Sequence, residues 1–480
     1  MAQFLTLSLI FVLFSMVSSF GSVVVSQSLP PPLDPAEQES VYRILESVNS
    51  DIQWRSLFPD DLCSSAPHGV VCDYFSDSDA AASDSSAATP HVTELSFGYV
   101  SDYSPNPPCD SNSTLDPLLL APLSHLKKLF FYKCFTQTET PFPDFSPLSS
   151  PSTTQNNRSS SSSSLEELVF IENPALVGSL DGKISNLRRL RRLVLTGSGV
   201  SGNFSDGFAG FANLEQLTLS RNKFQGEIPT SAFQTLNKLK VLDLSENGFR
   251  GNIPASIGNL TELLKIDLSS NEFSGRIPEI LKGLHNLEFL DLSYNRFGNY
   301  GLPLFLPEMT GLREVYLSGN LLGGQIPEIW GNMRGIKGIG LSGVGLVGNI
   351  PKSMGANLRN ICYLGLDNNM LEGSVPDEFG DLEMVSELNL GRNNLSGRVP
   401  FSAGFVAKLG NKLKLEGNSD LCIDEGLKLS AKVSVSSSSS LGELKVCRQT
   451  YIHETAIVNS SPPQFLPSLS FIFLLFLCFV

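Results

Sequence analysis

The chain has 480 residues and a formal net charge of −14, with 34 lysines and arginines against 48 aspartates and glutamates. This acidic balance argues against nucleic acid or anionic pectin as a partner held by simple charge attraction. One local exception is the basic run LRRLRRL, which contains Arg188, Arg189, Arg191 and Arg192.

The first segment, residues 1–26, is predicted to be a cleaved signal peptide. It begins MAQFLTLSLIFVLFSMVSSFGS, an apolar run of signal-peptide length followed by small residues, although no Lys or Arg precedes the run. A membrane anchor, the alternative, needs about 20 apolar residues and usually basic flanks. Export is supported by six Asn-x-Ser/Thr sequons, which are candidate glycosylation sites: Asn112, Asn157, Asn203, Asn259, Asn394 and Asn459. The Asn394 sequon lies in NNLSG, where the repeat described next asks for the same residues.

Residues 123–404 repeat one unit, L-x-x-L-x-x-L-x-L-x-x-N-x-L/F-x-G-x-I-P. Nine copies start 24 or 25 residues apart, at Leu187, Phe211, Leu236, Leu260, Leu284, Met309, Met333, Leu358 and Leu382. A drifted copy from Leu165 and an earlier one from Leu123 bring the total to about eleven. A period of this length indicates a solenoid, in which each copy buries its apolar face only by stacking on its neighbours. The serine-rich stretch 146–164 interrupts the array and is expected to be a disordered loop.

Each position of the unit has a physical role. The leucines of L-x-x-L-x-L alternate as in a short strand, so neighbouring copies are expected to pair as a parallel sheet. The Asn that follows both donates and accepts hydrogen bonds and is expected to form a ladder that ties down the turn backbone. It recurs at Asn222, Asn247, Asn271, Asn295, Asn320, Asn369 and Asn393, while Cys134 takes its slot in the earliest copy.

The copy from Met333 departs from this pattern. Val344 replaces the ladder Asn, and the strand presents Gly338, Gly340 and Gly343 at its outward positions. This copy is either a weak joint or a place where another backbone comes close. The sequence does not choose between the two.

The G-x-I-P ending suits an extended segment, because proline fixes φ and lacks an N–H. Its proline recurs at Pro229, Pro254, Pro278, Pro327, Pro351, Pro376 and Pro400. This variant closely resembles the leucine-rich repeat of plant extracellular receptors, receptor-like proteins and polygalacturonase-inhibiting proteins. The resemblance implies an α/β-type repeat solenoid: a leucine-rich-repeat horseshoe with a parallel concave sheet, a mostly irregular or 3-10 convex side and disulfide-capped ends.

The same resemblance implies the roles of most cysteines. Cys63 and Cys72 frame CSSAPHGVVC in residues 27–122, which resemble the N-terminal cap region of the family. Cys422 and Cys447 fall in residues 405–458 and resemble its C-terminal cap pair. The remaining cysteines are Cys109 and Cys134, which are candidates for a bridge across the first strands, Cys362, which stands alone inside a repeat, and Cys478. No C-x-x-C occurs and no histidine is near a second candidate ligand, so no metal site is expected.

The last segment, residues 459–480, reads NSSPPQFLPSLSFIFLLFLCFV. Small residues at Asn459 and Ser460, a spacer and an apolar end fit a signal for attachment of a glycosylphosphatidylinositol (GPI) anchor. The alternative is a short membrane-spanning segment, which related receptor-like proteins often have. Counted from Phe465 that segment has sixteen residues, is interrupted by Pro467 and is followed by no Lys or Arg. We expect the lipid anchor, which places the protein on the extracellular face of the plasma membrane.

No catalytic set stands out, and we expect neither an enzyme nor a cofactor. Asp243, Asp267 and Asp291 occupy one slot in successive copies, which indicates a solvated ladder rather than a glycosidase pair. Function is therefore expected from surfaces.

The concave face carries an aromatic and charged set of the kind enriched in binding hot spots. Its candidate partner-binding residues are Phe289, Tyr294, Arg313, Glu314, Tyr316 and Tyr363. The resemblance implies a kinase-less receptor-like protein of the Too Many Mouths type, which binds an extracellular peptide or the ectodomain of a receptor kinase and signals through that partner. The alternative is a cell-wall defence protein that inhibits a polygalacturonase-type hydrolase.

Overall fold

The computed structural model describes residues 31–65, 67–76, 88–98, 106–148, 163–204, 208, 210–428 and 444–447. A long sheet runs through these segments and is called the concave sheet below. It has 14 strands, and all neighbouring strands are parallel except the first two, which are antiparallel. Its strands, in spatial order, are β1 (Val70–Phe75), β2 (Thr89–Phe97), β3 (Lys128–Tyr132), β5 (Glu167–Ile171), β7 (Arg192–Thr196), β9 (Gln216–Thr218), β11 (Val241–Asp243), β13 (Lys265–Asp267), β15 (Phe289–Asp291), β17 (Glu314–Tyr316), β18 (Gly338–Gly340), β20 (Tyr363–Gly365), β22 (Glu387–Asn389) and β24 (Leu413–Lys414).

The repeat period sets the register of this sheet. Each of the eleven aligned copies contributes one strand, and the apolar residue at its centre pairs with its equivalent in the next copy. Leu242, for example, lies between Leu217 and Ile266, and all three are fully buried. Because one copy cannot bury these side chains alone, the array is held together by its interfaces. The predicted leucine-rich-repeat solenoid with a parallel sheet is confirmed.

The predicted asparagine ladder is present. The Asn320 amide nitrogen donates to the carbonyl oxygens of Leu292 (2.9 Å) and Leu317 (2.9 Å), and its oxygen accepts from the Phe297 N–H (3.1 Å). Each bond to a preceding copy ties one buried turn to the next. The structure adds Asn173 and Asn418 to the ladder, in the drifted copy and in the C-terminal cap.

The residue before each ladder position has a left-handed backbone. Glycine is favoured there because other residues meet a steric cost at positive φ. In the repeats most of these positions are nonetheless occupied by larger residues: Lys133, Glu172, Arg221, Glu246, Ser270, Tyr294, Asn368 and Arg392. The ladder bonds on the following residue therefore hold a conformation that the local sequence does not favour.

Two further sheets flank the concave sheet where the unit reads N-x-F-x-G. The seven-stranded one contains β4 (Thr140–Pro141), β6 (Leu176–Gly178), β8 (Gly199–Asn203), β10 (Lys223–Glu227), β12 (Gly248–Gly251), β14 (Glu272–Gly275) and β16 (Arg296–Phe297). The five-stranded one contains β19 (Val347–Asn349), β21 (Met370–Gly373), β23 (Asn394–Arg398), β25 (Asp420–Ile423) and β26 (Lys445–Val446). Beneath the first of them, phenylalanines of successive copies stack, as in Phe249 on Phe273 at 6.3 Å between ring centroids.

Short helices lie between successive strands in many copies, and those at 255–259, 279–283 and 377–381 directly follow the proline of a G-x-I-P segment. The 3-10 helices are Pro117–Leu120, Ser146–Leu148, Ala255–Asn259, Glu279–Gly283, Leu306–Glu308, Trp330–Asn332, Asp377–Asp381 and Gly410–Lys412. Two short α-helices, α4 (Lys352–Asn357) and α5 (Ala403–Leu409), take the same place in later copies.

A helical cap covers the N-terminal end. It contains α1 (Pro35–Val48), α2 (Trp54–Leu57) and α3 (Leu62–Ser65). Helix α1 begins after Asp34, whose carboxylate accepts from the Ala36 and Glu37 amides, as expected of an N-cap residue. Its buried face packs on the first strands, and two disulfides, Cys63–Cys72 and Cys109–Cys134, tie this region together.

The C-terminal end is closed by β24, β25 and β26, with the Cys422–Cys447 disulfide joining β25 to the residue after β26. All three predicted disulfides are therefore present. The expectation that Cys362 stands alone is wrong: it is disulfide-bonded. Cys362 is half-buried beside β20, and sequence spacing alone does not reveal which cysteines pair.

Several predicted segments lie outside the described residues. These are the signal peptide 1–26, most of the serine-rich insertion, the Asn157 and Asn459 sequons, Cys478 and the anchor signal at 459–480 with Asn459 and Ser460. Among the helices that the structure does describe, none combines the length and the apolar character needed to cross a membrane.

Candidate partner-binding surface

Three aromatic side chains meet on the concave sheet, and we call them the aromatic surface: Phe289 on β15, Tyr316 on β17 and Tyr363 on β20. The ring centroids of Phe289 and Tyr316 are 5.7 Å apart, and those of Tyr316 and Tyr363 are 6.1 Å apart. All three side chains are half-buried. Since β18 lies between β17 and β20, Tyr316 and Tyr363 reach each other across a whole strand.

The glycines of β18 make this contact possible. A methyl group added at Gly338 would lie 2.7 Å from the phenol oxygen of Tyr316, and one at Gly340 would lie 2.7 Å from the Tyr316 ring. Both glycines are buried. Tyr316 from the neighbouring copy therefore fills the space over Gly338 and Gly340, which the sequence left open as a weak joint or as a place where another backbone comes close. These two glycines are buried, whereas the sequence predicted outward, exposed positions.

The two phenol groups of the aromatic surface stay protonated. Burial, and then the hydrogen bond that the hydroxyl donates to Glu314 (2.8 Å), raise the pKa of Tyr316. Burial, and then the nearby carboxylates of Asp367 and Glu387, raise the pKa of Tyr363. Both rings are therefore neutral amphipathic groups at any physiological pH.

On one side of the aromatic surface lies a row of aspartates. The Lys265 ammonium is 5.0 Å from the centroid of the Phe289 ring and also contacts Asp243 and Asp267. These two carboxylates are mostly buried, and each accepts from the serine two residues later, as in Asp243 with Ser245 (2.7 Å). The row is thus a set of internally bonded pairs rather than the solvated ladder that the sequence predicted. Burial raises the pKa of Asp291, the third member, although bonds from Ser293 oppose this shift.

The charges of the N-terminal copies are paired with one another. Arg191 lies between Glu166 and Glu215, and Glu215 also binds Lys240, so charge alternates along successive copies. Arg192 likewise approaches Glu167. The basic run LRRLRRL therefore does not present all of its charge to a partner.

Two predicted members lie apart from the aromatic surface. Tyr294 follows β15 in the left-handed position before Asn295, is 65% exposed and lies over Gly319. Arg313 is exposed just before β17 and donates to the Gly335 carbonyl oxygen (3.3 Å). Glu314, in contrast, is on β17 beside Tyr316. The side chains of four sequon asparagines are exposed: Asn112, Asn203, Asn259 and Asn394.

Sequence reasoning missed a cluster in the N-terminal cap. Glu37, His91 and His125 lie together there, with one possible ligand atom from each within 4.8 Å of the others. Their separation in sequence gives no signal, because a ligand motif is recognised only when its members are closely spaced. The expectation that no histidine is near a second candidate ligand is therefore wrong, because the fold brings His91 and His125 close to Glu37.

Family models place leucine-rich repeats at 188–249 and 212–273, and at 286–308 and 311–333. Receptor like protein 29 of Arabidopsis thaliana is 35% identical over 180 residues, which cover 36% of this chain and 31% of that protein. Protein Too Many Mouths of the same organism is 32% identical over 158 residues, or 33% of this chain and 27% of that protein. The match thus spans about a third of the length of these relatives.

Solved structures show the same architecture. The crystal structure of a TDR receptor superposes with a TM-score of 0.54 at 28% identity, covering 64% of this chain and 49% of that one. The PEPR1–AtPEP1 complex superposes with a TM-score of 0.56 at 23% identity, covering 81% and 52%, which bears on the fold alone. The chain is a leucine-rich-repeat protein that resembles the plant receptor-like proteins.

Proposed function

We propose that the protein is a kinase-less receptor-like protein at the extracellular face of the plasma membrane. It binds an extracellular peptide or the ectodomain of a partner receptor kinase and signals through that partner. The names of the relatives, a receptor-like protein and Too Many Mouths, and the likeness to a solved receptor support a receptor role. Export and the lipid anchor are part of the same proposal.

The observation that carries the proposal is the aromatic surface on the concave sheet. Elsewhere on this sheet many charged side chains already have partners, as Arg191 does, and a ligand would gain little by replacing those pairs. Phe289, Tyr316 and Tyr363 instead offer apolar area with neutral hydroxyl groups at its edge. Tyrosines of this kind contribute much of the affinity in protein interfaces because they combine large contact area with a polar end.

Truncation of the tyrosines tests the proposal. We expect Tyr316→Ala or Tyr363→Ala to weaken partner binding by about 1–2 kcal/mol or more, roughly 5- to 30-fold in Kd. The matched control is Tyr300→Ala, which removes an equally large, 64% exposed ring from outside the concave sheet. Binding would be titrated against purified receptor-kinase ectodomains recovered with the surface-tethered protein, beside thermal melts of every variant.

A second variant leaves all three rings in place. Gly340→Val puts a side chain where the Tyr316 ring lies and should displace it, with a loss of affinity similar to that of Tyr316→Ala. Gly331→Val is the control, because nothing lies within 4 Å of the atom that would be added there. If the tyrosine variants and Gly340→Val all bind like the unmodified protein, the aromatic surface is not the binding site. Inhibition of a polygalacturonase by the purified chain would favour the inhibitor alternative.

A further inference from the structure

Three elements of the N-terminal end contribute potential metal ligands to one place. Glu37 comes from α1, His91 from β2 and His125 from the turn before β3. Glu37 is 3% exposed, whereas the two histidines are half-buried. The cluster therefore has a buried carboxylate on its inner side and imidazoles that solvent reaches on its outer side.

The buried carboxylate is held in a fixed orientation. Its Oε2 accepts from the Val92 N–H (3.1 Å), and its Oε1 lies 2.5 Å from His91 Nδ1. Among the ion pairs of the described residues, His91 is the one basic group that Glu37 contacts. A buried carboxylate is costly unless it is paired with a cation or coordinates a metal.

The two histidine rings contact each other, an aromatic ring and a hydroxyl group each. Their rings stack with centroids 4.0 Å apart, and Phe75 lies against both, at 5.8 Å from His91 and 4.4 Å from His125. Thr89 and Ser124 hydroxyl oxygens lie 3.3 Å and 3.1 Å from a nitrogen of His91 and His125, respectively. An apolar wall beside imidazole and carboxylate donors strengthens the attraction for a cation.

We propose that Glu37, His91 and His125 form a Zn²⁺ site. Two imidazoles and one carboxylate are a donor set that suits zinc, with water as the fourth ligand on the exposed side. Zinc takes the place of the proton between His91 Nδ1 and Glu37 Oε1, and the neutral ring then carries its proton on Nε2, where the Thr89 hydroxyl oxygen can accept it. The two atoms must then move from 2.5 Å to roughly 3.3 Å apart, and His125 must turn out of the ring stack, to give zinc bonds of about 2.0–2.2 Å.

Zinc at this place would join the cap helix to the first strands. Since α1, β2 and the turn before β3 each supply one ligand, separation of the cap from the repeats would break metal bonds as well as apolar contacts. Metal bound only by the folded state adds to its stability. We therefore expect the melting temperature to rise with Zn²⁺ and to fall again when a chelator removes it.

The test is calorimetric titration with Zn²⁺ of the full chain, produced without a histidine tag and treated with chelator. We expect one Zn²⁺ per chain, and a Kd at least about tenfold higher in His125→Ala. His125 is the first choice because its removal leaves the Glu37–His91 contact intact. His285→Ala, an exposed histidine of a distant repeat, is the control and should bind like the unmodified protein.

A second readout does not depend on affinity. Co²⁺ in place of zinc should give the visible absorption of a four-coordinate site, which His91→Ala and His125→Ala should both abolish. Melts in the absence of metal establish that each variant is folded. The proposal is overturned if the unmodified chain binds no stoichiometric Zn²⁺. It is also overturned if His125→Ala keeps the same affinity and the same Zn²⁺-dependent rise in melting temperature. The cluster would then have only a structural role, as a hydrogen-bonded contact between the cap and the first strands.

Discussion

Asn320→Ala is expected to lower the free energy of unfolding by about 3–5 kcal/mol, because it leaves several buried backbone groups without a partner. The amide of this 1% exposed residue serves the carbonyl oxygens of Leu292 and Leu317 and the N–H of Phe297. These groups belong to two neighbouring copies, so the substitution weakens the joint between them. Each orphaned group costs about 1–3 kcal/mol, and water has no ready access to replace the amide.

Chemical denaturation of the variant measures this cost, and Asn332→Ala is its matched control. Asn332 is exposed in the 3-10 helix of the same copy, so its loss should change stability by no more than about 0.5 kcal/mol. Equal stability of the two variants would contradict this prediction. It would show that the ladder amides select the conformation of the turn without adding to the free energy of unfolding. A broadened unfolding transition in Asn320→Ala alone would show that the array has separated into two cooperative units.

The ladder also shows why most of the fold follows from sequence. Each ladder Asn makes the same bonds, to its own copy and to the preceding one, so one local pattern, repeated every 24 or 25 residues, specifies strand, turn and register together. What the pattern does not reveal is compensation where it fails. At Val344 the next ladder amide makes an additional bond: Asn369 Oδ1 accepts from the Val344 N–H as well as from the Leu346 N–H.

The aromatic surface was only partly predictable. Phe289, Tyr316 and Tyr363 occupy outward positions of their strands, which the repeat register identifies. That Tyr316 lies across β18 depends on side-chain packing over Gly338 and Gly340, which a one-dimensional pattern does not encode.

The N-terminal cluster was not predictable in the same way. Glu37 and His91 are 54 residues apart, and no repeat relates the cap to the copies that follow. Only the docking of α1 on β2 brings them together, through the Glu37 carboxylate and the Val92 amide. The repeat period therefore predicts contacts between neighbouring repeats, but it does not predict contacts between a repeat and the cap.

Loss of the C-terminal disulfide is the second change for which we expect a large effect. In the double variant Cys422→Ser/Cys447→Ser, the chain-entropy model for a loop of 25 residues gives a cost of about 3.5 kcal/mol, within the usual range of about 2–5 kcal/mol. The same change at Cys63 and Cys72, which are nine residues apart, should cost less, about 2.6 kcal/mol. Chemical denaturation of both double variants measures which disulfide contributes more to stability. Disulfide mapping of the unmodified chain checks that both bridges are present.

The location of the damage separates a cap from an ordinary cross-link. Cys447 holds β26 and the buried Leu444 against β25, so its release exposes Leu421 and Ile423 at the end of the array. Because each copy contacts only its neighbours, hydrogen exchange should accelerate in β24 and β22 and remain unchanged in β9 and β11. Acceleration spread evenly over the whole concave sheet would contradict the cap role, since it would mean that the disulfide stabilises the array as one cooperative unit rather than closing its end.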